Sequence, residues 1–389
     1  MNHVVVVGAG LAGVRSVEAL RARGYRGRLT LIGEESHRPY DRPPLSKAVL
    51  LGDLDSTVVD SDLGALSVDL RTSVSAKGLR EGALETTEGE LEYDGLVIAT
   101  GASPIRLRGE GAQYVLRTID DALALRAAMV PKSRVAIVGA GWIGAEVATA
   151  ARRAGCEVTV VEAAESPLAT ALGPEVGGLT ARWYADVGID LRLGVMVGSI
   201  DPGGLTMMDG SWIPADVVVT GVGVRPNVTW LAGSGIEVDN GIVVDEHLRT
   251  SMEGVVAVGD CANWWSRRFG RRMRVEHWDT ALNAPETAVA TLLGQCAVYD
   301  PVPYFWSEQF GHMVQYAGHH DGARLVLRGD PDTDRKWAAC WFTEDDRLAA
   351  ILTVDRPRDL VQGRRIVEGG QSLDVDRASD PSIPLRDCL

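Results

Sequence analysis

The chain has 389 residues, 46% of them hydrophobic and 24% charged, an ordinary globular composition that excludes disordered, collagenous and coiled-coil classes. Fifty-three acidic against 39 basic residues give a formal charge of −14, which excludes nucleic acid as the main partner because phosphate binding draws on a surplus of Lys and Arg. At roughly 150 residues per domain the length points to two or three domains, and no apolar run approaches the ~18 residues of a membrane helix, so a soluble, cytoplasmic protein is expected.

The first element in the chain is VVVVGAGLAG at 4–13, a buried apolar strand that turns on glycine into a helix. It returns as VAIVGAGWIG at 135–144, so Gly8, Gly10 and Gly13 map onto Gly139, Gly141 and Gly144 with one offset of 131 residues, and Gly24 maps onto Gly155. In such a unit the first glycine makes the tight turn, the second lets the backbone approach a pyrophosphate, and the third lets helix and strand pack closely. The helix start supplies amides that lack intrahelical partners. A single glycine motif is weak evidence, whereas two copies in the same strand–turn–helix context imply two dinucleotide sites.

A strand ending in an acid about 20 residues beyond the first glycine is expected to hydrogen-bond a ribose hydroxyl. RLTLIGEE ends in Glu34 and Glu35, and CEVTVVEA ends in Glu162. No Arg follows Glu162 to receive a 2′-phosphate, so the second site is expected to prefer NADH to NADPH. Two dinucleotides that exchange electrons suggest FAD and a nicotinamide.

The next segment, HRPYDRPPLSKAVL at 37–50, carries a proline-stiffened loop with Lys47. With YDGLVIATGASP (93–104), VVVTGVGVRPN (217–227), GVVAVGDCAN (254–263), VEHWDTALNAP (275–285) and VPYFWSEQ (302–309), it makes the chain resemble, over nearly its whole length, the FAD-dependent NADH:ferredoxin reductases of bacterial oxygenase systems. The resemblance implies an α/β, glutathione-reductase-like fold: two Rossmann-like dinucleotide-binding domains, the NAD domain inserted in the FAD domain, and a C-terminal α+β domain. The expected boundaries are 1–105 and 229–300 for FAD, 106–228 for NAD and 301–389 for the last domain, whose short apolar stretches WAACWF and LAAILTV read as antiparallel strands. The last 15 or so residues, rich in Asp, Ser and Pro, are expected to be loosely ordered.

The resemblance also implies roles. Lys47 would stand near the flavin and pair with Glu146 at the site of hydride transfer, and Trp306 would lie between the flavin and a docked ferredoxin. Ala12, Val74, Thr100, Arg117, Asp260 and Trp278 match flavin-contact positions, and Ile143 and Gly223 belong with the nicotinamide cofactor. Independently of it, no Cys precedes Cys156, and the five cysteines show no CxxC spacing, so neither a dithiol redox centre nor a zinc site is expected. The seven histidines show no ligand spacing either. The expected function is electron transfer from NADH through FAD, one electron at a time, to a two-iron ferredoxin, by a monomer or a homodimer. Two alternatives stand beside it: a reductase for rubredoxin, oxygen or a small molecule, and an NADH-sensing flavoprotein resembling apoptosis-inducing factor. WWSRRFGRRMR (264–274) is the one dense basic run in the acidic chain. Arg267, Arg268, Arg271, Arg272 and Arg274 offer a docking patch for an acidic ferredoxin, with Trp264 and Trp265 as apolar anchors.

Overall fold

The structure, a computed structural model, describes residues 1–389. Its contacts divide the chain into two compact units: residues 1–41, 56–103 and 225–303 form the first, and residues 42–55, 104–224 and 304–389 the second.

The first unit is built on the strand His3–Val7, whose four valines are all buried. Burial of consecutive residues means that both faces are covered, as a central parallel strand requires. The sheet runs Val255–Ala257, Gly95–Ile98, His3–Val7, Arg28–Ile32, Asp69–Arg71, parallel throughout. Helices Leu11–Ala22 and Trp278–Leu292 pack against it and each other. An antiparallel flap of Ala76–Arg80, Ala83–Thr86 and Gly89–Glu92 completes the unit.

The second unit repeats the plan with the parallel order Asp190–Arg192, Glu157–Val161, Arg134–Val138, Val217–Thr220, and its own three-stranded flap over 197–214. Residues 42–55 fold with this unit: Leu50 lies in the same apolar core as Leu125, Val147 and Ala151. Beyond residue 303 comes a five-stranded antiparallel sheet, Tyr304–Gln309, His312–Gly318, Leu348–Val354, Trp337–Phe342, Arg324–Arg328, backed by the helix Pro357–Gly369. WAACWF is buried at all six positions. Trp337, Ala339 and Trp341 pack on Leu168, Leu172 and Trp183.

The end of the chain departs from expectation. Arg328, with its side chain 1% exposed, pairs with Asp359 at 2.9 Å and donates to the carbonyls of Ala378 (3.0 Å), Asp380 and Ile383. A buried guanidinium must have its donors satisfied, and the tail carbonyls supply the acceptors. Leu385 and Cys388 are buried in turn, so the tail is docked rather than loose.

Candidate dinucleotide and hydride-transfer sites

The two glycine turns are nearly superimposable in their physics. Gly8 and Gly139 take φ of +110° and +101°, and a Cβ on either would sit 2.2 Å from Ala99 O or 2.4 Å from Gly221 O. A Cβ on Gly13 or Gly144 would lie 1.9 Å from the carbonyl oxygen of that first glycine. Only glycine fits those four positions. Gly10 and Gly141 differ from them: a Cβ there meets nothing within 4 Å. Each is the N-cap of its helix, without a side-chain cap, so backbone amides at a helix start face open space. A pyrophosphate fits such a cradle by backbone approach and by the helix dipole. Ile143, 40% exposed, flanks the second opening.

The acids that follow are not equivalent. Val161 O accepts from Gly139 N, and Ile32 O accepts from Gly8 N, both at 2.8 Å, so Val161 corresponds to Ile32 and Glu162 to Gly33. Glu162 is well fixed, with Oε2 accepting from Ala140 N at 2.7 Å and Oε1 from Ala164 N at 2.9 Å. In the first copy the matching residue is a glycine whose Cβ would collide with that of Ala9 at 2.6 Å. Glu34 stands one residue later and is exposed. Close packing against Ala9 leaves no room for a side chain at Gly33, so the first acid, Glu34, comes one position later than Glu162 does.

The ion pair expected from the sequence is present. Lys47 Nζ lies 2.9 Å from Glu146 Oε2, with side-chain exposures of 18% and 3%. Lys47 ends the turn Pro43–Ser46, and Glu146 lies in the first turns of the helix Trp142–Arg153. Two hydroxyls complete the arrangement: Ser46 Oγ donates to Oε2, and Ser307 Oγ donates to Oε1 at 2.6 Å. Neither serine was legible in the sequence, because they lie 100 and 161 residues from Glu146 and serine carries no motif signal by itself. A buried carboxylate with an ammonium and two hydroxyls is held in one orientation.

Asp260 sits in the turn Gly259–Cys261, which meets the Leu11–Ala22 helix where a Cβ on Gly259 would lie 3.2 Å from Ala12 Cβ. Thr100 Oγ1 donates to Asn227 O at 2.8 Å, and Asn227 Nδ2 donates back to Thr100 O at 3.0 Å. Trp278 Nε1 donates to Asp41 Oδ1 at 2.8 Å. Just before it, burial pushes the His277 imidazole down to about 4. Arg117 O accepts from Arg42 Nη1 at 2.6 Å, tying the proline turn to the helix Ile119–Ala128. Val74 is buried in the core of the first unit, its amide bonded to Gly33 O at 2.8 Å. Gly223, φ +104°, has room for a side chain, its Cβ position lying 3.8 Å from Ile105. All five cysteines are free, and burial pushes the Cys340 thiol up to about 12 and raises that of Cys261.

The basic run is less available than its composition implies. It forms a hairpin, Ala262–Ser266 with Arg271–Met273. Strand alternation turns Trp264 inward, to 1% exposed, and Trp265 outward, to 39%, so Trp264 is a core residue and not an anchor. Arg267 pairs with Glu246 and Arg274 with Glu276, while Arg272 donates to Val244 O and Asn263 O. This hairpin belongs to the first unit and Trp306 to the second. Trp306 is half-buried and stacks on Tyr304 at 6.1 Å, and the Arg364 guanidinium lies 5.2 Å from the Tyr304 ring centroid. Arg358 and Arg365, on the same helix as Arg364, are exposed.

Comparison with known proteins agrees with this geometry. The pyridine nucleotide-disulphide oxidoreductase family matches residues 2–284, and the reductase C-terminal domain matches residues 304–389. The ferredoxin–NAD(+) reductase component of the p-cumate 2,3-dioxygenase system of Pseudomonas putida is 35% identical, covering 100% of this chain and 98% of that protein. Rhodocoxin reductase of Rhodococcus erythropolis is 36% identical over 98% of this chain and 93% of its own. Among solved structures, Fdr9 superposes with a TM-score of 0.95 at 49% identity, covering 99% of each chain. The covalent putidaredoxin reductase–putidaredoxin complex gives 0.95 at 31% identity, covering 100% of this chain and 98% of that one. No helix is long and apolar enough to cross a membrane. Two open glycine cradles, a mixed α/β fold and these matches lead to one conclusion: the chain belongs to the pyridine nucleotide-disulphide oxidoreductase family and carries that family's reductase C-terminal domain.

Proposed function

We propose that this chain is an NADH-dependent flavoprotein reductase that passes electrons from NADH through FAD, one at a time, to a two-iron ferredoxin serving an oxygenase in the cytoplasm. The observation that carries this reading is the pair of open cradles at Gly10 and Gly141, with a carboxylate fixed by a lysine, Glu146 by Lys47, on the second helix alone. Bound FAD supplies the redox chemistry, accepting a hydride from NADH and releasing electrons singly.

The protein binds, orients and balances charge. The first cradle, with Ala12, Thr100, Asp260 and Trp278 around it, holds FAD. The second cradle holds the NADH pyrophosphate, with Ile143 and Gly223 beside the nicotinamide half. Glu162 accepts from the adenosine ribose; its carboxylate repels a 2′-phosphate, which selects NADH over NADPH. Lys47 balances the negative charge that grows as hydride arrives, and Glu146 holds its ammonium in place. No thiol pair is available to store electrons, which favours direct transfer to a one-electron acceptor. An acidic ferredoxin docks over Trp306, with Arg364 as the nearby positive charge.

Anaerobic stopped-flow spectroscopy tests the reading. NADH is expected to bleach the flavin band quickly and NADPH slowly, and reoxidation is expected to accelerate only on adding a two-iron ferredoxin. Reoxidation at the same rate with oxygen or quinone alone would favour a small-molecule acceptor and overturn the proposal.

A further inference from the structure

The strand Tyr304–Gln309 presents different chemistry on its two faces. Tyr304 and Trp306 stack on one side. On the other, Phe305 and Ser307, with Phe310 just beyond the strand, meet the helix Trp142–Arg153 of the second dinucleotide fold. The Phe305 ring lies 4.7 Å from that of Trp142, Ser307 Oγ lies 2.6 Å from Glu146 Oε1, and Phe310 N donates to Thr149 Oγ1 at 3.0 Å. Positions 142, 146 and 149 share one helix face, so the strand is fastened along it at three successive points. Ser307 is fully buried and Gln309 is 1% exposed.

A hydroxyl has one proton to donate. Gln309 Nε2 approaches Ser307 Oγ at 3.3 Å and fills an acceptor position of that oxygen, which leaves the serine proton for Glu146. Oε2 of Glu146 is already held by Lys47 and Ser46. Without Ser307, Oε1 is a buried carboxylate oxygen lacking its strong donor, a state relieved by rotation of the carboxylate or by protonation. Either change weakens its hold on the Lys47 ammonium.

We propose that Ser307, oriented by Gln309, is a positioning residue for hydride transfer: the C-terminal domain contributes the donor that fixes the Glu146 carboxylate, and through it Lys47. This rests on the reading of Lys47 and Glu146 as the hydride-transfer pair. In the flavin-loaded enzyme, Ser307→Ala is expected to lower the limiting rate of flavin reduction by NADH about tenfold. NADH affinity should stay within about twofold, because no NADH contact is removed. Gln309→Met is expected to lower that rate by less.

A readout independent of turnover is infrared difference spectroscopy, with the Glu146 carboxylate stretch identified by its loss in Glu146→Gln. That band is expected to shift in Ser307→Ala. A Ser307→Ala enzyme with the parent's rate and carboxylate band would overturn the inference while Glu146→Gln remained slow. Full activity in Glu146→Gln would instead remove the reading beneath it.

Discussion

The two glycine turns hold the same backbone in the same conformation, yet they carry different chemistry two residues past the third glycine. In the second copy that position is Glu146, buried and bonded to Lys47, Ser46 and Ser307. In the first it is Arg15, whose side chain is 38% exposed and pairs only along its own helix, with Glu18 at 2.7 Å. The acid after the second strand differs likewise: Glu162 is fixed by two amides, whereas its counterpart Gly33 is packed against Ala9. The cradle is thus a general device for holding a dinucleotide. What is done with the dinucleotide depends on the helix face beside the cradle and on the segments packed against it.

The strongest way to break this comparison is to remove the pair. Glu146→Gln or Lys47→Met is expected to slow flavin reduction by roughly 10²–10³-fold, the range for losing one electrostatic stabiliser of a transition state, as read by anaerobic stopped-flow. Acid acts on the first unit. His277 is held neutral by burial, with its pKa lowered to about 4, so the unfolded chain binds a proton that the folded one refuses. The stability this contributes is full above about pH 6.5 and is lost as pH falls toward 4, to the extent of about 3 kcal/mol. Urea midpoints at pH 7.5 and 4.5 should show the loss, and His277→Asn should flatten it.

Smaller effects sharpen the contrast. Glu162→Ala is expected to weaken NADH binding by roughly 10- to 100-fold, the worth of hydrogen bonds to a charged group, and to narrow the preference over NADPH; titration with both nucleotides checks it. Glu34→Ala, one residue beyond the equivalent position, should change flavin retention far less. Smallest of all is Arg15→Ala, expected to alter the reduction rate by less than about twofold, because an exposed ion pair is worth little.

Much of this was legible in the sequence because it is local. The six motif glycines, the apolar strands that precede them and the absence of a cysteine pair are all visible without a fold. What stayed hidden depends on register and distant contact. A two-residue difference in spacing between the first and second strands sets Gly33, not Glu34, opposite Glu162. One step of strand alternation buries Trp264 and exposes Trp265. Ser307 and Arg328 become important only through partners that are far away or follow much later: Glu146 in one case and the polar tail in the other. Composition alone made that tail look loose, since its Asp, Ser and Pro residues do not reveal that the carbonyls of Ala378, Asp380 and Ile383 satisfy a buried arginine.

The central claim, that the first cradle holds the flavin and the second the nicotinamide nucleotide, is tested most directly by blocking each opening in turn. Gly10 and Gly141 both face open space, so a valine at either leaves the turn itself without a clash. Visible absorbance of purified Gly141→Val is expected to show a full complement of flavin that dithionite bleaches and NADH does not, whereas Gly10→Val is expected to be colourless. A colourless Gly141→Val protein, or a yellow Gly10→Val protein reduced normally by NADH, would contradict the assignment.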